Sequence, residues 1–345
     1  MNDVTPKSEL NIRDIARLSG VSRSTVSRVL NHAPNVNEET RQRVLKVIDQ
    51  HNYRPNVAAR SLVTQRSNVL GIYIPYLVDE LFTDPYFAVL IQGITRCANE
   101  NNYDVMLWLQ EQDNVGEHLH SRVMDSRMAD GLILASTPKY DLLPLTLLER
   151  GRTFVMNGRP WHQIETMNYV DSTNRQGAQQ AVEHLARLGR RRIGTITGRL
   201  ELGSGTDRFI GYRQALQRLN LEVDENLIVE GDFTEAGGYA GMRRLLVHKP
   251  DAVFVASDHM AMGALRAIRE AGMRVPDDVA IVGFDDMPFA TLATPPLTTI
   301  RQSVLRIGHL ATEGLIGLLQ GTITPPYQVS LPTQLVIRES CGFPA

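Results

Sequence analysis

The sequence predicts a small all-α head carrying a helix-turn-helix, followed by an α/β body of two similar lobes with parallel sheets. Three observations lead there. Residues 1–66 hold 11 Lys and Arg against 6 Asp and Glu, and the other 279 residues hold 25 against 32, so a net charge of −2 conceals a basic head on an acidic body. The head has apolar residues at helical spacing between capping residues. The body alternates short apolar runs with helical patterns, as expected for parallel strands covered by helices on both faces.

A length of 345 residues corresponds to two or three domains at about 150 residues each. Apolar residues are 43% and charged residues 21%, ordinary for a globular chain. No run approaches the length of a membrane-spanning helix, and the first residues lack the apolar core of a secretory signal. Cys97 and Cys341 cannot form a disulfide framework. A cytoplasmic, nucleoid-associated protein with no membrane partner is therefore expected.

In the head, Asn11 precedes Ile12, Ile15 and Ala16, with Asp14 in the first turn: an N-cap, an acid and an apolar face. Gly20 supplies a left-handed stop. Ser22 then caps a second helix, Arg23–Asn31, whose Val26, Val29 and Leu30 face inward. A third helix starts at Asn37 and carries Val44, Val47 and Ile48. Two short helices joined by a Gly-containing turn form a helix-turn-helix, and the second would enter a major groove. Its DNA face comprises Ser22, Arg23, Ser24, Thr25, Ser27, Arg28 and Asn31. Arginine can bridge guanine O6 and N7, while the short polar side chains suit phosphates. The competing interpretation is a plain three-helix bundle that touches no DNA.

The stretches NIRDIARLSGVSRSTVSRVLN, VNEETRQRV and NYRPNVAARSL together resemble the lactose-repressor family. The resemblance implies that the third stretch is a hinge helix in the minor groove. Leu62 would be the residue inserted between base pairs, with Ala59 beside it and Asn56 opening the segment. An apolar wedge of this kind unstacks one step and bends the duplex.

In the body, strands are predicted at 68–74, 103–109, 131–136, 153–157, 192–197, 227–231, 252–257 and 279–284. Helices are predicted at 86–101, 173–188, 206–219, 235–248 and 258–271. The second half repeats the alternation of the first, hence two lobes, with a ligand cleft between them at the carboxyl ends of strands. The resemblance continues through DPYFAVLIQGI, DGLIL, HLARLGRRRIG, VFVASDHMAMGALRAIREAG, RVPDDVAIVGFDD and PPLTTIRQ, and implies a periplasmic-binding-protein-like core. The expected domains are 1–54, a hinge at 55–67, and a body at 68–345. Within the body, lobe 1 takes about 68–169 and 296–325, and lobe 2 about 172–293 and 326–345.

Carried over by motif, the effector residues are Tyr86, Phe87, Asn157, Arg208, Phe233 and Asp285. Arg208 can form a forked pair of hydrogen bonds, and Asp285 can accept from hydroxyls. Each has a plainer reading: Arg208 paired with Asp207 on a surface, Asp285 as a helix cap, Phe233 as core. Asp258 is expected to cap its helix, and Trp161 either lines the cleft mouth or anchors its loop. Residues 76–84 look like an inserted loop. An aromatic plate with Asp, Arg and Asn is carbohydrate chemistry, so a small sugar is the expected effector and a purine or nucleoside the alternative.

Catalysis is not expected. The chain has no nucleophile elbow, HExxH, Walker A loop or GxGxxG after a strand, and GSG at 203–205 is too short for a dinucleotide loop. His118 and His120 read as a solvated helix face rather than a metal site, and Asp285 and Asp286, as sequence neighbours, point apart. No cofactor is expected. An exported solute-binding protein and a sugar-processing enzyme are the other function classes considered. A homodimer on pseudo-palindromic double-stranded DNA is expected, and the end QLVIRESCGFPA, without heptads, predicts no tetramer.

Overall fold

The structure, a computed structural model, describes residues 10–30, 33–53, 66–110, 120, 121, 123, 124 and 128–343. The expected DNA contacts Asn31, Asn56, Ala59 and Leu62 lie outside the described residues, as does His118. The chain divides into two units, residues 1–67 and 68–345.

The head forms as its caps dictate. Helix α1 is Ile12–Ser19: Asn11 Oδ1 accepts from Arg13 N at 2.9 Å, and Asp14 Oδ2 accepts from Asn11 N at 3.0 Å. Gly20 ends it at φ 64°, a conformation only glycine adopts freely. Helix α2 is Arg23–Leu30, and Thr25 N donates to the Ser22 hydroxyl at 3.1 Å. Helix α3, Glu38–Gln50, starts from Asn37. Ile15, Ala16, Val26, Val29 and Val44 close one small core.

The body holds twelve described strands in two six-stranded sheets. The first comprises β1 (Val69–Leu77), β2 (Asp104–Gln110), β3 (Gly131–Ala135), β4 (Phe154–Asn157), β5 (Tyr169–Ser172) and β11 (Gln328–Leu331). Its order is β2-β1-β3-β4-β5-β11, all parallel. The second comprises β6 (Ile193–Thr197), β7 (Ile228–Glu230), β8 (Ala252–Val255), β9 (Ala280–Asp285), β10 (Thr298–Arg301) and β12 (Gln334–Val336). Its order, β7-β6-β8-β9-β10-β12, repeats that of the first, and only β12 among the described strands runs antiparallel. Strands such as β3, β8 and β9 are buried on both faces, which explains their continuous apolar runs.

Five details differ from the sequence-based expectation. Strand β10 joins the second sheet and β11 the first, so residues 298–301 belong to lobe 2 and 328–331 to lobe 1. Lateral hydrogen bonding decides a strand's sheet, and no local pattern reveals it. Residues 76–84 are not an inserted loop: β1 runs through Leu77 and a short helix, Val78–Thr83, follows. The helix expected from 206 begins at Gly203, so GSG is its first turn. Helix Asp258–Glu270 is capped by Ser257, whose hydroxyl accepts from Met260 N at 3.2 Å, rather than by Asp258. His120 is half-buried rather than part of a solvated face: its Nε2 lies 3.0 Å from the hydroxyl of buried Tyr73 and 3.2 Å from Asp141.

Helices Pro85–Glu100 and Val304–Gln320 cover one face of the first sheet and cross in close contact. A Cβ on Gly93 would lie 2.1 Å from the Leu305 carbonyl oxygen, and one on Gly308 would lie 2.4 Å from that of Leu90. The chain passes between lobes three times, at 173, 302–303 and 332–333. Thr333 N donates to Thr173 Oγ1 at 3.0 Å, and the Ser172 hydroxyl donates to Gln302 Oε1 at 2.9 Å, tying the crossings together.

Candidate functional site

A cleft of about 750 Å³, partly open to solvent, lies between the lobes at the carboxyl ends of the strands. Both sheets reverse their order there, between β1 and β3 and between β6 and β8, where open α/β sheets bind ligands. All six expected effector residues line it.

Arg208 is 4% exposed and sits in the second lobe wall. Its Nε donates to Asn174 Oδ1 at 2.9 Å and its Nη1 to the Ala256 carbonyl at 2.6 Å. Nη1 is also 3.4 Å from Asp285 Oδ1, and Cζ stands 3.7 Å over the Phe284 ring. Arg208 is therefore not paired with Asp207, which binds Arg159 and Arg175 instead. Asp285 has φ 118°, an orientation strained for an L-residue and held by its neighbours. Gln302 Nε2 donates to its Oδ1 at 2.6 Å, and the Asp258 N–H reaches the same carboxylate. Burial pushes Asp285 up to about 7, against the opposing pull of Arg208. Asp286 turns away to Arg301 and Arg338, both at 2.6 Å.

Lobe 1 presents Tyr86 and Asn157 together: Asn157 Nδ2 donates to the Tyr86 hydroxyl at 3.0 Å. Phe87, 2% exposed, stands edge-on to Tyr86 at 5.4 Å between ring centres, and so backs the site from the core. Phe233, on the lobe 2 side, has φ 69° and its ring lies against Gly198, where a Cβ would be 1.9 Å from Cζ. Two more carboxylates line the cleft. Asp84 caps helix Pro85–Glu100 by accepting from Tyr86 N at 3.0 Å, and Asp171 accepts from Asn174 Nδ2 at 3.0 Å. Burial raises each to about 6.

Across the rim, Arg159 of lobe 1 grips Asp207 of lobe 2 with two 3.0 Å hydrogen bonds, Nε to Oδ2 and Nη2 to Oδ1. Arg175 Nε adds a third at 2.8 Å. Nearby, Lys139 N donates to the Glu201 carbonyl at 2.9 Å, also between lobes. Trp161 does not line this cleft; it sits in a separate 260 Å³ pocket with Pro138, Pro144 and Pro160 and anchors its loop. Asp258 is fully buried and accepts from Thr299 Oγ1 at 2.6 Å and Met287 N at 2.8 Å, so it is no ligand contact. Among the described residues no group of three metal-ligating side chains comes together.

Comparison with known proteins matches both units. Residues 11–56 match bacterial regulatory proteins of the lacI family, and residues 182–341 match a periplasmic binding protein-like domain. The HTH-type transcriptional regulator CelR of Thermobifida fusca is 39% identical over 329 residues, 94% of this chain and 96% of that protein. The ribose operon repressor of Escherichia coli is 33% identical over 88% of this chain and 92% of its own. This chain belongs to the lacI family. A solved CelR–cellobiose complex superposes with TM-score 0.76 at 36% identity, covering 96% of this chain and 99% of that one. A lac repressor dimer bound to operator and the anti-inducer ONPF superposes with TM-score 0.85 at 28% identity, covering 97% and 99%. The protein is thus a DNA-binding transcriptional regulator, and its relatives are regulators rather than enzymes.

In this lacI-family head, Ser22, just before α2, and Arg23, Ser24 and Arg28 on α2 are exposed, and Thr25 and Ser27 are half-buried. The Ser22 hydroxyl lies 2.7 Å from that of Ser24 and 2.8 Å from that of Thr25, so Ser22 is engaged in capping before any phosphate arrives. In the body, sequence reasoning missed Asp84, Asp171, Asn174 and Gln302. Asp171 had a usable signal: a charged residue ending a short strand. Gln302 had none, because its role depends on three chain crossings meeting.

Proposed function

We propose that this regulator is a repressor whose operator affinity is controlled by a small neutral sugar held between the lobes. The observation that carries the reading is the cleft itself: the aromatic residues Tyr86 and Phe233 line the same cavity as Arg208, Asp285 and Asn157, whose side chains carry planar polar groups. Kinship with a regulator solved with cellobiose makes a β-linked disaccharide the first candidate. A purine is the alternative to test, since the purine repressor PurR of Haemophilus influenzae is 31% identical over 95% of this chain. The reading extends to a cytoplasmic, nucleoid-bound homodimer on a pseudo-palindromic operator. A groove along helix Asp258–Glu270 suits the second copy: it is lined by Met262, Leu265, Phe289 and Leu292, the last 82% exposed. Arg23, Ser24 and Arg28 read bases, Thr25, Ser27 and Asn31 hold phosphates, Ser22 caps the reading helix where it meets the DNA, and Asn56, Ala59 and Leu62 work at the operator centre.

The test has two steps. Thermal unfolding against sugars and nucleobases identifies the effector, since a ligand at 100 times its Kd adds about 2.7 kcal/mol of stability. An operator selected from random duplexes is then titrated with the hit. Cellobiose stabilising the protein and shifting operator affinity at least tenfold supports the reading; stabilisation by nucleobases alone overturns it.

A further inference from the structure

We propose that residues 199–207 form a clasp by which lobe 2 holds lobe 1 across the rim of the cleft, and that a bound effector leaves only when the clasp opens. A sugar and a purine would be retained in the same way.

The segment follows β6 and runs into the first turns of helix Gly203–Arg218. It is fixed to its own lobe. Arg199 Nε donates to the Asp232 carbonyl at 3.2 Å, Leu200 N to Glu230 Oε1 at 3.1 Å, and Thr206 Oγ1 to the Leu200 carbonyl at 2.6 Å. Gly205 lets the loop fold back on the helix, since a Cβ there would lie 2.2 Å from the Arg199 carbonyl oxygen. The segment therefore moves as part of lobe 2.

Its outer side meets lobe 1. Arg199 Cζ stands 4.8 Å from the centre of the Tyr76 ring, a cation over a ring face. The Glu201 carbonyl accepts from Lys139 N at 2.9 Å. Asp207 accepts the paired hydrogen bonds of Arg159. Leu202, 5% exposed, is buried in the same apolar cluster as Tyr76, Leu81 and Phe87 of lobe 1. The backbones are close as well: a Cβ on Gly203 would lie 3.1 Å from the Arg159 carbonyl oxygen. The lobe 1 partners come from β1 and from the segments after β3 and β4, so no single loop movement in lobe 1 frees the clasp.

Position decides what these contacts can do. The crossings at 302–303 and 332–333 adjoin β10 and β12, whereas the clasp follows β6, three strands from β10. Opening about the crossings separates the lobes most on the clasp side. The contacts must break there before a ligand held between the lobes can leave. Leu202, Gly203 and Arg159 also line the cleft, so the clasp borders the ligand space directly. Opening of such a closure, rather than the loss of ligand contacts alone, then sets the release rate.

The experiment follows the clasp with and without ligand. Hydrogen exchange is read at the Lys139 amide, whose partner is the Glu201 carbonyl of the other lobe. Dissociation of radiolabelled cellobiose and hypoxanthine is read by rapid filtration. The full chain is compared with Arg199→Ala and Asp207→Asn, two positions outside the cleft lining. In the wild type the Lys139 amide is expected to exchange at least tenfold more slowly than an unprotected amide. In each variant it should exchange at least tenfold faster than in the wild type, with an unchanged circular dichroism spectrum. The bound probe should leave each variant at least tenfold faster. An unprotected Lys139 amide in the wild type overturns the clasp without recourse to any variant. So does exchange that neither substitution changes. Faster exchange with unchanged dissociation overturns the retention of ligand by the clasp and leaves the sugar reading standing. Hypoxanthine binding without cellobiose binding sinks the sugar reading, and the hypoxanthine rates then decide the clasp. Binding of neither probe overturns both the sugar reading and the retention of an effector.

Discussion

Arg208 gathers much of the cleft's polar contact in one side chain. It is buried, stacked on Phe284, and shared between Asn174, the Ala256 carbonyl and Asp285. Lysine cannot reproduce that planar fork. Arg208→Ala is expected to lower effector affinity at least 100-fold by calorimetry while operator affinity without effector stays within threefold. A normal effector response in that variant would remove Arg208 from the site. Asp171 carries a second prediction. Its carboxyl sits near 6 in the fold against 3.8 when unperturbed, so between those values the folded state binds more protons than the unfolded chain. Stability from this group is therefore present below about pH 4 and lost as pH rises through about 6. Asp171→Asn should stabilise the protein at pH 8 by about 1–3 kcal/mol and leave it unchanged at pH 4, read by urea denaturation at each pH. Equal gains at both values would show that the charge is not the cause.

Between elements, the rim contact of Arg159 with Asp207 joins the segment after β4 to helix Gly203–Arg218, and so ties one lobe to the other. Asp207 is nearly buried and has a second guanidinium in Arg175, which still answers its charge when Arg159 is removed. A double-mutant cycle with Arg159→Ala and Asp207→Asn should return a coupling of about 1–3 kcal/mol in effector binding, because the pair joins the two lobes that border the cleft. A coupling near zero would mean that the pair decorates the rim without holding the lobes. The hinge between the elements has its own link to the site: Ser172 binds Gln302, and Gln302 binds Asp285. Two hydrogen bonds therefore connect the lobe crossing at Ser172 to the cleft carboxylate Asp285.

At the scale of the whole molecule, a regulator of this family couples an effector cleft to a DNA-binding head, and such coupling is reciprocal. Two predictions belong here. Leu292→Asp puts a charge on an 82% exposed apolar residue of the groove proposed for the second copy. It should shift sedimentation from dimer to monomer and weaken operator binding at least tenfold, with cellobiose binding retained; a dimer of unchanged stability would move the interface elsewhere. Leu62→Ala should weaken operator binding at least tenfold and leave the effector Kd within twofold. Unchanged operator affinity would remove the wedge.

Local chemistry in the chain specified the head, the alternation of strands and helices, and the residue types of the site. Caps such as Asn11 and Asn37, the stop at Gly20 and the apolar runs of β3 and β8 are decided within a few residues, so a linear reading finds them. Arg208, Asp285, Phe233, Tyr86, Phe87 and Asn157 were legible as cleft-lining residues through the family resemblance of their motifs, not through any local periodicity. Only the folded molecule decided how β10 and β11 exchange lobes, that Asp207 serves Arg159 rather than Arg208, that His120 meets Tyr73 and Asp141, and that Asp84 and Asp171 share a cavity with Asp285. Those facts depend on groups far apart in sequence meeting in space. Lateral pairing, burial and the electrostatic cost of neighbouring charges arise from that meeting, and none of them leaves a periodicity in the chain.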